Sequence, residues 1–256
     1  MSAEIPRILH QTWRNADLPP RFARWRREWI ALHPRWEHRF HDDGDINRTV
    51  RDRAPHLLSV FEAFQRPILR VDLFRYLIVY LDGGLYADLD MQPYRASDTL
   101  IAGAPCVMSV ESHLGARYQQ ILGYEQPWQI GNCIFAAAPG HPFIGALIDT
   151  IARAATTPVR SDDDVEAITG PQLVTRLLYG LPPAERGEVR VLPQIHWMSP
   201  WFYPRIGSLA RQIYARHTSA GTWRFGERWT RQTIRNRLIA RGRLPRPFIA
   251  EGPVLS

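Results

Sequence analysis

Apolar residues recur along this chain in two periods, and the switches between them outline its elements. Residues 5–13, Ile-Pro-Arg-Ile-Leu-His-Gln-Thr-Trp, read as a first strand that ends in a polar and aromatic cluster. Leu18-Pro19-Pro20 marks a loop, and within residues 21–32 the side chains Phe22, Trp25, Trp29 and Leu32 fall at helical spacing. A short strand over 36–40 and the acidic turn Asp42-Asp43-Gly44-Asp45 precede helical segments near 46–53 and 56–64. Residues 68–81 are apolar on most sides, which predicts a helix sunk in the core; Pro67 suits its first turn and Gly83-Gly84 its end. A strand over 85–89 follows at once. Beyond Pro93, strands near 106–110, 132–137 and 189–192 alternate with helices over 142–155 and 169–178. That alternation predicts an α/β fold, with a mostly parallel or mixed sheet and helices on its faces. Ser161-Asp162-Asp163-Asp164 reads as a solvated loop and helix start rather than a metal site.

Composition narrows the class. At 256 residues the chain is long enough to bury a sizeable core, and 45% hydrophobic with 22% charged residues is an ordinary globular balance. The formal net charge is +7, and since the sequence contains no lysine, all 32 basic residues are arginine. That charge permits contact with phosphates or anionic lipid without proving either, and a base-composition bias in the source genome is the preferred explanation of the missing lysine. Cys106 and Cys133 are the two cysteines, too few for a disulfide scaffold or a cysteine zinc site, so a reducing, cytoplasmic setting is expected. No charged stretch followed by an apolar one opens the sequence. The longest apolar run, 73–81, is broken by Arg75 and is too short to cross a bilayer, so any membrane contact is expected to be peripheral, at the inner face of the plasma membrane.

Candidate chemistry centres on Gly83-Gly84-Leu85-Tyr86-Ala87-Asp88-Leu89-Asp90. In an extended segment alternate side chains share a face, so Asp88 and Asp90 point one way and Leu89 points into the core. Two such carboxylates make an oxygen site suited to Mg2+ or Mn2+ carried with a diphosphate. Taken alone, an Asp-x-Asp also arises in any solvated acidic turn. Asp72 and Arg75 are the polar exceptions in the buried helix; three residues apart, they share a face and can form an ion pair or aim jointly at a ligand. Trp13, at the end of the first strand, reads either as core or as a ring available for stacking.

Three further stretches accompany the Asp pair: Ile8-Leu9-His10-Gln11-Thr12-Trp13, Val71-Asp72-Leu73-Phe74-Arg75-Tyr76 and His217-Thr218-Ser219-Ala220-Gly221-Thr222-Trp223. Together, over residues 5–223, they resemble the glycosyltransferases with a sugar-binding region and DxD motif, a family-32-like group. It includes yeast initiating α-mannosyltransferases and bacterial capsule and lipopolysaccharide transferases, and more distantly the clostridial glucosylating toxins. The resemblance implies a GT-A fold, a Rossmann-like mixed sheet flanked by helices, over 1–223. It also implies a retaining transfer of a hexose or N-acetylhexosamine from a UDP- or GDP-sugar to a glycan or lipid-linked acceptor in bacterial surface polysaccharide synthesis. On that resemblance Trp13 stacks on the nucleobase, and Asp72 and Arg75 bind sugar hydroxyls and orient the phosphates. Asp88 contacts the ribose and donor sugar, while Asp90, with Asp88 beside it, ligates the metal. His217 is a late metal ligand, and Thr222 and Trp223 reach the diphosphate from a closing loop, with threonine where many relatives have serine. Asn132, after Gly131, falls near the anomeric carbon.

Residues 224–256 form a basic extension. Trp229, Ile234, Leu238 and Ile239 among its arginines permit an amphipathic helix of the kind that lies on anionic bilayers. His10, His141 and His196 read as structural, with His196 also placed to line the acceptor side. Other readings are a toxin-like effector that glycosylates a protein, a metal-dependent phosphohydrolase and an arginine-rich nucleic-acid binder. Dispersed arginines and the lack of a recognisable nucleic-acid motif weigh against the last, and no second His/Asp cluster supports a two-metal hydrolase.

Overall fold

The computed structural model describes residues 4–199 and 207–218. Strand β1 (Ile8–Thr12) leads to helix α1 (Pro20–Leu32), which buries Phe22, Trp25 and Trp29. Strand β2 (Glu37–His41) lies parallel to β1. Helix α2 spans Asp43–Arg53 and so begins inside the stretch expected to be an acidic turn. The reason is a capping box: Asp42 accepts from the Asp45 N–H at 2.8 Å, and Asp45 accepts from the Asp42 N–H at 3.2 Å. Asp43 and Asp45 lie in its first turn and Arg51 and Arg53 in its last, as the helix dipole favours. Helix α3 (Leu58–Ala63) precedes α4 (Pro67–Asp82), which carries Pro67 in its first turn. Leu69, Leu73, Phe74, Leu77, Ile78 and Val79 of α4 are buried together with Asp72 and Arg75.

Strand β3 (Gly84–Ala87) pairs parallel with β1, and Gly84 makes that approach possible. Its φ is 107°, and a Cβ there would lie 2.6 Å from the Ile8 carbonyl oxygen. Strand β4 (Met91–Pro93), α5 (Asp98–Ile101), β5 (Cys106–His113), α6 (Ala116–Leu122), β6 (Trp128–Ile130) and β7 (Ile134–Ala137) follow. Helices α7 (Pro142–Arg153), α8 (Asp162–Ile168) and α9 (Pro171–Gly180) lead to β8 (Arg190–Leu192) and β9 (Ala215–His217). Asp162, Asp163 and Asp164 occupy the first turn of α8, with Ser161 as its cap.

The main sheet runs β2-β1-β3-β7-β5-β6, with β8 on β5. β2, β1 and β3 are parallel; β7 is antiparallel to both β3 and β5; β8 is parallel to β5. This is the mixed sheet expected. One face packs α4, α7 and α9 through Leu73, Phe74, Phe135, Phe143, Leu147 and Val174. The other gathers Trp29, Trp36, Leu85, Val107 and Trp197. Burial of aliphatic and aromatic side chains contributes roughly 1.5–3 kcal/mol each before chain entropy is set against it. Three strands of three residues, β4, β6 and β9, were not expected from the pattern. β4 and β9 form their own antiparallel pair, with Met91 opposite His217. No described helix is long and apolar enough to cross a membrane.

Candidate active site

The Asp pair is assembled by a turn, which corrects the expectation of a strand pleat. β3 stops at Ala87, and the chain reverses over Asp88–Met91, where the Met91 N–H donates to the Asp88 carbonyl at 3.0 Å. Leu89 is buried against Phe22 and Trp25, as the alternation implied, and anchors the turn. The Asp88 N–H donates to the Cys133 carbonyl at 2.8 Å, tying the turn to the start of β7. Just after β9, the Thr218 hydroxyl and N–H both donate to the Asp90 carbonyl, at 2.9 and 3.1 Å. Ligand atoms of Asp88, Asp90 and His217 therefore all lie within 4.8 Å of one another, with His217 Nε2 3.3 Å from Asp90 Oδ2.

Beneath this cluster lies a buried polar network. Arg75 Nη2 forms an ion pair with Asp72 Oδ1 at 2.9 Å, and Nη1 donates to the Asn132 carbonyl at 2.9 Å and to Asp88 Oδ2 at 3.3 Å. The Thr169 hydroxyl donates to Asp72 Oδ2 at 2.6 Å, and the Asn132 amide reaches Asp72 Oδ1 at 3.5 Å. Tyr86 donates its phenol proton to Asp88 Oδ1 at 2.8 Å; the Thr12 hydroxyl, 2.8 Å away, is then the donor to Tyr86. The Arg75 guanidinium stands over the Tyr86 ring, 5.0 Å from its centre.

Charge is costly here, and the residues respond. Burial pushes the Asp72 carboxyl up to about 6, against the opposing pull of Arg75 and Thr169. Burial likewise raises Asp88; Arg75 opposes the shift and the Asp90 carboxylate adds to it. Burial works against a charged His217, yet the Cys133 sulfur and the Asp90 carboxylate hold the imidazole well above its ordinary range. Two carboxylates and an imidazole converging on one point fit a divalent cation, which would relieve the repulsion between Asp88 and Asp90 and take the place of the His217 proton.

All the sequence-predicted residues in the described regions line one cleft of about 750 Å³. Trp13 lies at the β1 end, edge-on to Phe22 at 5.3 Å; Asp72 and Arg75 form the floor, with Asp88, Asp90, Asn132 and His217 alongside. Thr222, Trp223 and the basic extension fall outside the described residues. Sequence reasoning missed four participants: Thr12, Tyr86, Thr169 and Glu111. Tyr86 was within reach, since it precedes Asp88 by two, and an extended reading of the segment puts both on one face. Thr169 was read only as a helix start, and nothing local marks Glu111. Of the histidines expected to be structural, His10 and His141 are buried and bonded to backbone carbonyls, while His196 bonds the Gln212 carbonyl and does not line the cleft.

Residues 19–106, which hold Asp72, Arg75, Asp88 and Asp90, match the family described as glycosyltransferase sugar-binding region containing DXD motif. Inositol phosphoceramide mannosyltransferase 3 of Schizosaccharomyces pombe is 29% identical over 152 residues, 59% of this chain and 38% of that protein. The mannosyl phosphorylinositol ceramide synthase CSH1 of Saccharomyces cerevisiae is 23% identical over 240 residues, 92% of this chain and 57% of that protein. The chain thus spans from over a third to over half of these relatives, which are fungal and carry mannosyl-transfer names. Among solved structures, the ligand-free glycosyltransferase domain of the YGT toxin superposes with a TM-score of 0.51 at 10% identity, covering 74% of this chain and 80% of that one. Residues 19–106 of this chain therefore match the glycosyltransferase sugar-binding region with its DXD motif, on the mixed α/β fold shared with GT-A glycosyltransferases.

Proposed function

We propose that the protein is a divalent-metal-dependent glycosyltransferase that moves a hexose from a nucleotide-diphosphate sugar to a hydroxyl of a glycan or lipid-linked acceptor, with retention at the anomeric carbon. The observation that carries this reading is the meeting of Asp88, Asp90 and His217 in the same cleft as Trp13, Asp72 and Arg75. The mannosyl-transfer names of the relatives make mannose the first sugar to test, and make an inositol-bearing lipid a better-supported acceptor than bacterial surface polysaccharide.

Asp90, His217 and Asp88 would hold the cation. When bound it supplies positive charge to the departing diphosphate, as a Lewis acid. The protein's own residues do the rest. Trp13 offers a ring face to the base, beyond the end of β1. Arg75 lies too deep in its carboxylate cage to serve as a loose counter-ion, so it fixes the orientation of Asp72 and Asp88 toward the sugar. Tyr86 and Arg75 engage one oxygen each of Asp88, which limits its rotation, whereas Asp90 faces the imidazole. Preorganised groups of this kind cost no reorganisation as charge develops, and each donor lost typically costs about 3 kcal/mol of barrier.

Thermal shift with GDP, UDP, GDP-mannose and UDP-glucose, each with and without Mn2+, tests donor and metal together. A ligand at a hundred times its Kd stabilises the native state by about 2.7 kcal/mol. The expected outcome is a nucleotide-induced shift that requires Mn2+ and disappears in Asp90→Ala. A shift of equal size in Asp90→Ala would remove Asp90 from the metal site.

A further inference from the structure

We propose that Glu111 is the seat for the acceptor: its carboxylate accepts hydrogen bonds from the hydroxyls of a polyol ring and so selects the hydroxyl presented to the donor sugar. This rests on the donor reading above and extends it to the other substrate.

The sheet edge orders the cleft. Trp13 follows β1, Asp88 follows β3, Asn132 precedes β7, and Glu111 lies on the outgoing half of β5. Because β7 is antiparallel to its neighbours β3 and β5, these four positions come to the same edge. Three strand intervals separate β1 from β5, about 14 Å in all. A nucleobase at Trp13, a diphosphate at the Asp pair and a sugar at Asn132 would use that edge in sequence. The next position is Glu111, on the side away from the base, where an acceptor must approach.

Local geometry aims the side chain there. The β5–β6 pairing skips a residue: Val110 faces Ile130 and Ser112 faces Gln129, so Glu111 is the extra residue of a β-bulge. Bulges re-aim side chains, and this one turns Glu111 into the cleft, although β5 is buried from Cys106 to Val110. Gly131 makes room: a Cβ there would lie 3.2 Å from the Glu111 Cβ. The Gln129 amide donates to Glu111 Oε2 at 3.1 Å, and the Gln194 amide donates to the Glu111 carbonyl, so side chain and backbone are both held. Oε1 takes no hydrogen bond and no cation lies within ion-pair distance among the described residues. A half-buried carboxylate held by one amide, with its second oxygen open in a cleft, is an acceptor waiting for donors, and the hydroxyls of a sugar or inositol ring are donors of the right kind.

The test uses the full chain with Mn2+ and GDP-mannose or UDP-glucose as donor, and methyl α-D-mannopyranoside and myo-inositol as probe acceptors. Transfer and donor hydrolysis are measured together in wild type, Glu111→Gln and Glu111→Ala. Loss of a hydrogen bond to a charged group predicts a rise of about tenfold to a hundredfold in the polyol KM of Glu111→Ala. The ratio of transfer to hydrolysis falls in parallel, and Glu111→Gln lies between. A misfolded variant lowers transfer and hydrolysis alike, so an unchanged ratio with an unchanged polyol KM overturns the seat. Wild-type protein that no nucleotide diphosphate stabilises overturns the donor reading and the seat with it, a result distinct from a failure of Glu111 alone.

Discussion

Arg75 is the cation on which the buried Asp72 and the half-buried Asp88 carboxylates depend. It and Asp72 each expose about 5% of their side chain, and Asp88 is held by the same guanidinium. Breaking a buried pair from one side leaves a charge without compensation, which typically costs 3–5 kcal/mol. Arg75→Met should therefore destabilise the fold by about that much, measured by urea denaturation. Asp72→Asn on the same background should recover part of the loss, because the burial that already pushes Asp72 up to about 6 acts without opposition once Arg75 is gone. Strictly additive losses in the double variant would contradict a coupled pair. Arg75→Lys is no conservative change either: one ammonium cannot reach Asp72, Asp88 and the Asn132 carbonyl at the angles that the planar guanidinium spans.

Among the elements, β3 decides whether the cleft has both of its ends, since it sets the turn of Asp88 beside the strand that carries Trp13. Gly84→Ala puts a Cβ 2.6 Å from the Ile8 carbonyl at a φ of 107°, so it should cost about 2 kcal/mol or more and weaken any nucleotide-induced stabilisation. Gly103→Ala is the control, with φ 69° and open space around its Cβ; it should show roughly 1–2 kcal/mol of strain and leave ligand response alone. Helix α4 was legible because Pro67 and Gly83 bracket a run that is apolar on most sides. The Asp pair was legible as chemistry, yet its backbone was misread, because the turn at Asp88–Met91 depends on Leu89 finding Phe22 and Trp25 far away in sequence. β4, β6 and β9 are three residues each, too short to show alternation. What joins His217 to Asp90 is the pairing of Met91 with His217, a contact across the chain that no local pattern encodes. Glu111 escaped for a related reason, since a bulge is a property of two strands and not of one.

Across the whole molecule, the parallel edge of the sheet is pinned by two uncharged histidines. His10 Nε2 lies 3.0 Å from the Gly83 carbonyl and must carry the proton, so His10 Nδ1 accepts from His41 Nε2 at 3.1 Å. The rings stack at 5.4 Å, and His41 stands edge-on to Phe74 at 5.2 Å, so the pair joins β1, β2, α4 and the hinge before β3. Burial lowers both to about 4; the neighbouring His41 adds to the effect on His10. A histidine with a lowered folded value binds fewer protons than the unfolded chain between pH 6.5 and about 4, so stability falls as the pH falls through that window. The shift corresponds to about 3 kcal/mol for the first proton taken up. His33 and His141, also lowered by burial, act in the same direction. Asp72 acts in the other: raised to about 6, it gains protons on folding and stabilises as pH falls from there toward 3.8. His217, raised, stays protonated in both states below its unfolded value and contributes no slope there. Five histidines lowered by burial, His113 among them, outnumber the raised carboxyls Asp43, Asp72 and Asp88, so denaturation free energies should drop by a few kcal/mol between pH 7 and 4.5, most steeply below pH 6.5, where the unfolded histidines are protonated and His217 no longer opposes. His41→Gln should flatten that slope at some cost in stability at neutral pH, and NMR titration should show His10 neutral down to near pH 4. A flat profile, or a His10 that titrates near 6.5, would mean that the edge carrying Trp13 is open to water and the cleft lacks its rigid end.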